Sequence, residues 1–404
     1  MVGKLSDVVT QVVTLLKKSI WDDGIIEPQV IDWVSLSRIA KEQGVASFVY
    51  DGARRLGISI PDEIGQQWKN HITASIFQNE RLLCSQDVVI RSFERAYINV
   101  AVLKGSSAAR YYPQPELRAL GDIDLLINQS DIPAAREMLL HEGYKENNHE
   151  HGFHISFSKK GVTLELHEQV TVFPDTPGGQ AAQEIAKGFL DRLDIGSMCG
   201  YDFPVLSRTD QAMSLLLHMV RHMFEGGIGL RQLCDWMVFV AAEGSHFADD
   251  VCPALKQCGL LTFAEVSTKA CEQFLGLDHA CCYWCNSVDE HTCKLFMDSV
   301  FRGGNMGSAN TDAMGSLFTD EKSMGDKNTS PIISFIRKIN RRIYISFPFV
   351  ERFKLLLPVF WVYLPIRYFV RSVLGLRPKK SLRKVVGTAK KQRDLFEELH
   401  LFEI

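Results

Sequence analysis

The sequence predicts an α+β protein in which a small mixed sheet is flanked by mostly helical N- and C-terminal regions. Three observations predict it. Apolar residues recur at spacings of three and four over residues 1–97, and again from 176 to about 300, as amphipathic helices require. Between these regions the period shortens, and INVAVLKG (98–105) and DIDLLI (122–127) are apolar runs of strand length. GFHISFS and VTLELHE then alternate polar and apolar residues around Lys159-Lys160-Gly161, which is a hairpin pattern.

The helical N-terminal region, 1–97, contains VVTQVVTLL, DWVSLSRIAKEQGV and the long run SIFQNERLLCSQDVVIRSFERA. Its opening places Asp7 near the start of the apolar part and has neither an uninterrupted apolar run nor a small-residue cleavage pattern. It therefore reads as a first amphipathic helix, not as a secretory signal. The core, 98–175, begins with a strand ending at Gly105, followed by one or two helical turns in SSAARYY, the PQPEL loop and the strand DIDLLI. The next helix is capped by Ser130 or Asp131, carries Pro133 in its first turn and stops at Gly143. The hairpin completes the patch, and the pattern supports no other β region. Residues 176–301 form a helical domain that includes LLLHMVRHMF and LRQLCDW. Residues 302–331, rich in Gly, Ser, Asn and Asp, are expected to be a mobile loop, and 332–404 a basic, helical C-terminal segment.

With 404 residues, 46% hydrophobic and 23% charged, the chain is long enough for two or three packed units. A net charge of −3 gives no overall field that selects nucleic acid or a membrane. The charge is uneven, however: residues 366–393 hold ten Lys or Arg and no acid, after the apolar run LLLPVFWVYLPI. That run, broken by Pro358 and Pro365, is too short to span a bilayer. The segment suits packing on the helical domain, contact with an anionic membrane surface, or guidance of RNA through its phosphates; a solvated helix face accounts for it most simply. Ten cysteines without an even framework fit a reducing compartment, so a cytoplasmic location is expected. Cys281, Cys282, Cys285, His291 and Cys293 include soft zinc ligands, but a single CxxC and helical flanks argue against zinc.

The chemistry gathers in the core. Side chains two apart on a strand share a face, so Asp122 and Asp124 stand together while Ile123 and Leu125 turn into the apolar interior. Two carboxylates this close repel, and burying them without a cation is costly. A divalent ion such as magnesium resolves the conflict and brings phosphate oxygens into its shell. A third ligand is expected on a neighbouring strand. In VTLELHE, Val162, Leu164 and Leu166 alternate inward and leave Thr163, Glu165 and His167 on the opposite side. Gly105 and Ser106, at a strand–helix junction, present backbone N–H groups where a helix N-terminus favours a phosphate.

Strand–GS–helix, then a strand with DxD, then a hairpin with a third acid resembles the nucleotidyltransferase superfamily of the DNA polymerase β type. More narrowly, LKGSSAARYY, ELRALGDIDLLI and VTLELHEQV resemble the marks of the bacterial family of uncharacterised nucleotidyltransferases. The likeness runs on through the N-terminal helices, LLLHMVRHMF, LRQLCDW, the GGNMG turn at 303–307 and FPFVERFKLLLP. It implies a nucleotidyltransferase core at 98–175 that moves a nucleoside monophosphate from a nucleoside triphosphate such as ATP to the hydroxyl of an unidentified acceptor: a small molecule, a protein or RNA. Asp122 and Asp124 would hold two Mg²⁺ or Mn²⁺ ions, with Glu165 completing the set and accepting the acceptor's proton. Gly105 and Ser106 would bind the β- and γ-phosphates, with Lys104 and Arg118 as further phosphate contacts. The spacing between GS and DxD, with Pro113 and Pro115 inserted, is wider than in compact members and leaves the position of Arg118 open.

The histidines have two readings each. His151 and His154 flank or enter the hairpin and His167 shares the face of Glu165; a metal ligand or base competes with an ordinary strand-edge position, and His167 is the favoured one. His218 and His222, four apart on one helix, lack an accompanying HExxH and read as a helix contact facing the cleft, beside an Arg231–Asp235 pair. Two rival functions stay open: a nucleotide-binding module that no longer catalyses, and an interaction or membrane-surface protein acting through the basic segment.

Overall fold

The computed structural model describes residues 7–23, 31–147, 154–225, 227–244, 247–285, 288–304, 336, 339–340, 343–344, 347, 349–373 and 394–404. His151, the expected loop from 305 onward and the basic run over 374–393 lie outside the described residues.

Four helices precede the first strand: α1 (Asp7–Trp21), α2 (Trp33–Glu42), α3 (Ala46–Arg55) and α4 (Asp62–Arg95). β1 (Val100–Leu103) runs into the short helix α5 (Gly105–Ala109), and β2 (Ile123–Ile127) leads to α6 (Ile132–His141). β3 (Lys145–Glu146), β4 (His154–Lys159) and β5 (Val162–His167) follow, then α7 (Pro177–Lys187), β6 (Leu193–Met198) and β7 (Tyr201–Leu206). The chain continues through α8 (Arg208–Glu225), α9 (Leu230–Glu243), α10 (Phe247–Gln257), α11 (Leu261–Ala270), α12 (Glu290–Gly303) and α13 (Leu357–Val373). No helix among the described residues is long and apolar enough to cross a membrane.

The seven strands form one mixed sheet in the order β3-β4-β5-β2-β1-β7-β6. β2 is antiparallel to β1 and parallel to β5, and β1 is parallel to β7. The expected hairpin forms as β4–β5, turning on Lys160 and Gly161 with φ of +47° and +79°, the positive values that a two-residue hairpin turn requires. The sequence reading that ended the β region at 175 is corrected by β6 and β7. Pro204 within β7 and Gly196 within β6 are residues that ordinarily argue against a strand, and they masked the pattern. Gly196 has a packing reason: a Cβ there would lie 2.9 Å from the Val205 side chain and 3.0 Å from that of Arg110.

One face of the sheet packs Val102, Ile123, Leu125, Ile127, Leu164 and Leu166 against Leu83, Ile90 and Phe93 of α4 and Leu139 of α6. The opposite face places Ala101, Leu103, Leu126 and Leu206 in the larger core built with α8 and α9. The alternation that sends Ile123 and Leu125 to the first core therefore turns Asp124 toward the second, between the sheet and the helices that follow it. Helix α4 also fixes the loop ahead of the acids. Asn79, buried, donates to the carbonyls of Glu116 and Arg118 and accepts from the Leu120 N–H at 2.8 Å.

Candidate active site

The site begins at the corner between β1 and α5. Lys104 and Gly105 adopt φ of +46° and +44°, an unfavourable conformation for the lysine that a tight turn imposes. Glycine also admits a close approach here, since a Cβ on Gly105 would stand 3.6 Å from the Asp122 carbonyl oxygen. The glycine corner and the acid loop thus touch, despite the insertion between them. Ser106 donates its hydroxyl to Gln86 of α4 at 2.8 Å, so α4 holds both the corner and the acid loop. As the first two residues of a helix, Gly105 and Ser106 have no carbonyl one turn earlier within it to receive their N–H groups.

The sheet register assembles the acids. Asp124 lies opposite Leu103 on β1 and opposite Glu165 on β5, and Asp122 sits at the entry to β2. Asp122, Asp124 and Glu165 bring one ligand oxygen each to within 4.8 Å of one another. His154 faces His167 across the β4–β5 hairpin, with ring centroids 4.9 Å apart. The His167 Nε2 lies 2.8 Å from the Asp124 Oδ1, which also accepts from the Lys104 Nζ at 2.8 Å. The Asp122 carboxylate has no hydrogen-bond or ion-pair partner among the described residues.

The electrostatics follow from this arrangement. The charge of Asp124, and then burial, push the Asp122 carboxyl up to about 7, against the pull of Lys104. Burial would raise Asp124 too, but Lys104 and His167 outweigh it and hold that carboxyl well below the usual range. Glu165 is likewise lowered: burial opposes this, and the hydrogen bond and charge of His167 prevail. The result is two well-neutralised acids beside a third that the folded chain resists ionising.

Arg118, read from the sequence as a phosphate clamp, is placed differently. Its guanidinium is buried and grips Asp235 of α9 through Nε at 3.1 Å and Nη2 at 2.6 Å, while the Tyr112 hydroxyl donates to the same carboxylate at 2.8 Å. The expected Arg231–Asp235 pair is thereby replaced. Arg231 instead keeps a buried Nε without a hydrogen-bond partner among the described residues. Burial, and the repulsion of Arg118, lower its pKa to about 10, with Asp235 and Asp122 pulling the other way, so Asp122 is within its electrostatic reach. LRQLCDW contained both Arg231 and Asp235, but helical spacing gave no sign that Asp235 would turn to Arg118.

Helix α8 borders the site. The rings of His218 and His222 meet edge to face at 4.3 Å, and burial, then the charges of His222 and Lys104, hold His218 well below its ordinary range. His154 and His167 belong to the sheet side, close to Glu165: the His154 Nε2 lies 3.5 Å from Oε1 and the His167 Nε2 3.3 Å from Oε2. Cys282, Cys285 and Cys293 are buried, and burial raises each thiol; the Cys281–Cys293 group is not among the clusters whose ligand atoms come within 4.8 Å.

A mixed sheet with a glycine corner and a three-carboxylate cluster on its central strands defines the class: an α+β, nucleotidyltransferase-like fold. The chain belongs to the family of uncharacterised nucleotidyltransferases, which residues 29–276 match. Among solved structures, that of an antigenic nucleotidyltransferase-like protein from Paracoccidioides brasiliensis matches at 12% identity and a TM-score of 0.34, over 49% of this chain and 94% of that one. No curated protein matches the chain.

Proposed function

We propose that this protein is a metal-dependent nucleotidyltransferase that moves a nucleoside monophosphate from a nucleoside triphosphate such as ATP to the hydroxyl of a small-molecule, protein or RNA acceptor in the cytoplasm. One observation carries the reading. Three carboxylates from adjacent strands converge to within 4.8 Å, and Asp122 among them has no partner among the described residues and is pushed up to about 7. Such a set is completed by a cation, and hard oxygen donors that include two aspartates suit Mg²⁺ or Mn²⁺.

Asp122, Asp124 and Glu165 would hold the metal, in this reading two ions. When bound, such ions lower the pKa of an acceptor hydroxyl and neutralise charge on the departing pyrophosphate. The chain's own residues do the rest. The N–H groups of Gly105 and Ser106 receive the β- and γ-phosphates. Lys104, fixed on Asp124, holds that carboxylate in place and adds positive charge beside the phosphates. Arg231 takes the phosphate contact first expected of Arg118, since it keeps a buried Nε without a hydrogen-bond partner among the described residues and lies within electrostatic reach of Asp122. Glu165 accepts the acceptor's proton.

The test is incubation of the full chain with each α-labelled nucleoside triphosphate, Mg²⁺ or Mn²⁺ and cell lysate. Label is expected to enter one acceptor fraction and to disappear with Asp122→Asn. Thermal stabilisation by a triphosphate without pyrophosphate release would reassign the chain as an inactive nucleotide-binding module. A second reading, additional to the first, has its own observation: Val359, Val362 and Ile366, spaced i, i+3, i+7 on α13, are all exposed just ahead of the basic run. It makes this end a contact for an anionic membrane surface.

A further inference from the structure

We propose that His154, Glu165 and His167 form a second cation site, suited to a borderline first-row transition ion such as Zn²⁺, next to the carboxylate set. The inference rests on the spacing of three side chains and holds whether or not the protein transfers nucleotides.

The hairpin β4–β5 builds the site. His154 and His167 are register partners, so both rings project from the same face, and Glu165 shares that face two residues before His167. Both histidines are buried and Glu165 is half-buried, and one ligand atom of each comes within 4.8 Å of the others. The nitrogen–oxygen separations are 3.5 Å for His154 and 3.3 Å for His167. The two rings reach different oxygens of that carboxylate, and donor separations of this size are close to the edge of a tetrahedral site, about 3.4 Å when metal–ligand bonds are about 2.0–2.2 Å.

The donor set decides the ion. Magnesium is poorly served by imidazole, whereas two histidines and a carboxylate are a common ligand set for zinc and its neighbours. Asp122, Asp124 and Glu165 offer oxygen alone, so the two sets differ in the ions they prefer while sharing Glu165 as a bridge. An ion held here would take the His167 Nε2 from its contact with the Asp124 Oδ1, 2.8 Å away. Lys104, at 2.8 Å, keeps that carboxylate paired.

The experiment uses the full chain stripped by a chelator and titrated with Co²⁺, whose visible absorption reports nitrogen ligation. Wild type is expected to bind Co²⁺ with an imidazole-type spectrum. His154→Ala should weaken binding by at least about tenfold, and Asp122→Asn should leave it unchanged. Equal losses in the two variants, no loss in His154→Ala, or no Co²⁺ spectrum in wild type would each overturn the proposal. Should His154→Ala fail to fold, X-ray absorption of wild type with one equivalent of Zn²⁺ decides: two imidazoles support the site, and fewer overturn it. None of these readouts depends on nucleotidyl transfer, so failure here is separable from failure of the proposed activity.

Discussion

At Asp122 a neighbouring negative charge, more than burial, makes ionisation unfavourable, and this has a measurable cost. A carboxyl with an ordinary pKa near 3.8 when unfolded and about 7 when folded destabilises the native state as pH rises between those values, and the penalty is complete above about 7. With a chelator present, Asp122→Asn is therefore expected to match wild type at about pH 4 and to exceed its stability at pH 8. The gain is on the order of 2 kcal/mol once solvent screening of a half-buried group is allowed for. Urea unfolding at the two pH values measures it, and an equal gain at both would refute the assignment. Mg²⁺ affinity should correspondingly rise as pH climbs through about 7. Arg118 offers the contrasting case. Arg118→Met strips Asp235 of its bidentate partner and leaves a buried charge, so a loss of about 3–5 kcal/mol is expected, with partial recovery on adding Asp235→Leu. The acids were legible because alternation along a strand needs only neighbours in sequence. Arg118 and Asp235, 117 positions apart, meet only because α9 packs against α5 and the chain that follows it, and helical spacing suggested Arg231 as the nearer partner.

Two glycines in helices show how packing, more than propensity, sets the sign of a change. Alanine in place of a mid-helix glycine ordinarily gains about 1 kcal/mol. In α4, a Cβ on Gly65 would meet the Ile60 side chain at an ordinary 3.7 Å, so Gly65→Ala should raise Tm. In α3, a Cβ on Gly52 would lie 1.9 Å from the carbonyl oxygen of Leu15, where α1 crosses. Backbone has to move, and Gly52→Ala is expected to cost at least about 1–3 kcal/mol. Calorimetry of the pair checks both signs, and a rise in Tm for Gly52→Ala would contradict the α1–α3 contact. Most elements could be read from the sequence because each carries its own period or stop signal: the 3.6 spacing of α4, Gly143 after α6, and the alternation of β4 and β5. The β6–β7 hairpin could not. Its turn, Cys199-Gly200 with φ of +51° and +85°, lacks the usual Asn-Gly or Asp-Gly pair, and Pro204 interrupts a strand that is held in the sheet by β1. The parallel β1–β7 partnership is long-range, and nothing local announces it.

Across the whole molecule, a net charge of −3 coexists with ten Lys or Arg and no acid over 366–393, so the charge is unevenly spread along the chain. Beside it, α13 exposes Val359, Val362 and Ile366 along one stripe, and Leu355 just ahead of the helix is 96% exposed. In the second reading proposed above, the apolar stripe would enter the headgroup region of an anionic lipid surface while the cations that follow in sequence neutralise the lipid charge. Each basic residue close to such a surface contributes about 1 kcal/mol, and added salt weakens that part. The full chain should therefore sediment with phosphatidylserine-containing vesicles and not with phosphatidylcholine vesicles, less so in high salt. Val362→Asp should lower the vesicle-bound fraction without changing the thermal stability of the rest. A chain that ignores vesicle charge, or a Val362→Asp variant that binds as wild type does, would leave the stripe without a lipid role. Salt-sensitive binding to RNA that is unaltered in that variant would assign the basic run to nucleic acid instead. If the vesicle result holds, the proposed transfer site lies on a chain that concentrates at a membrane face, and acceptors should then be sought first among molecules that are held there.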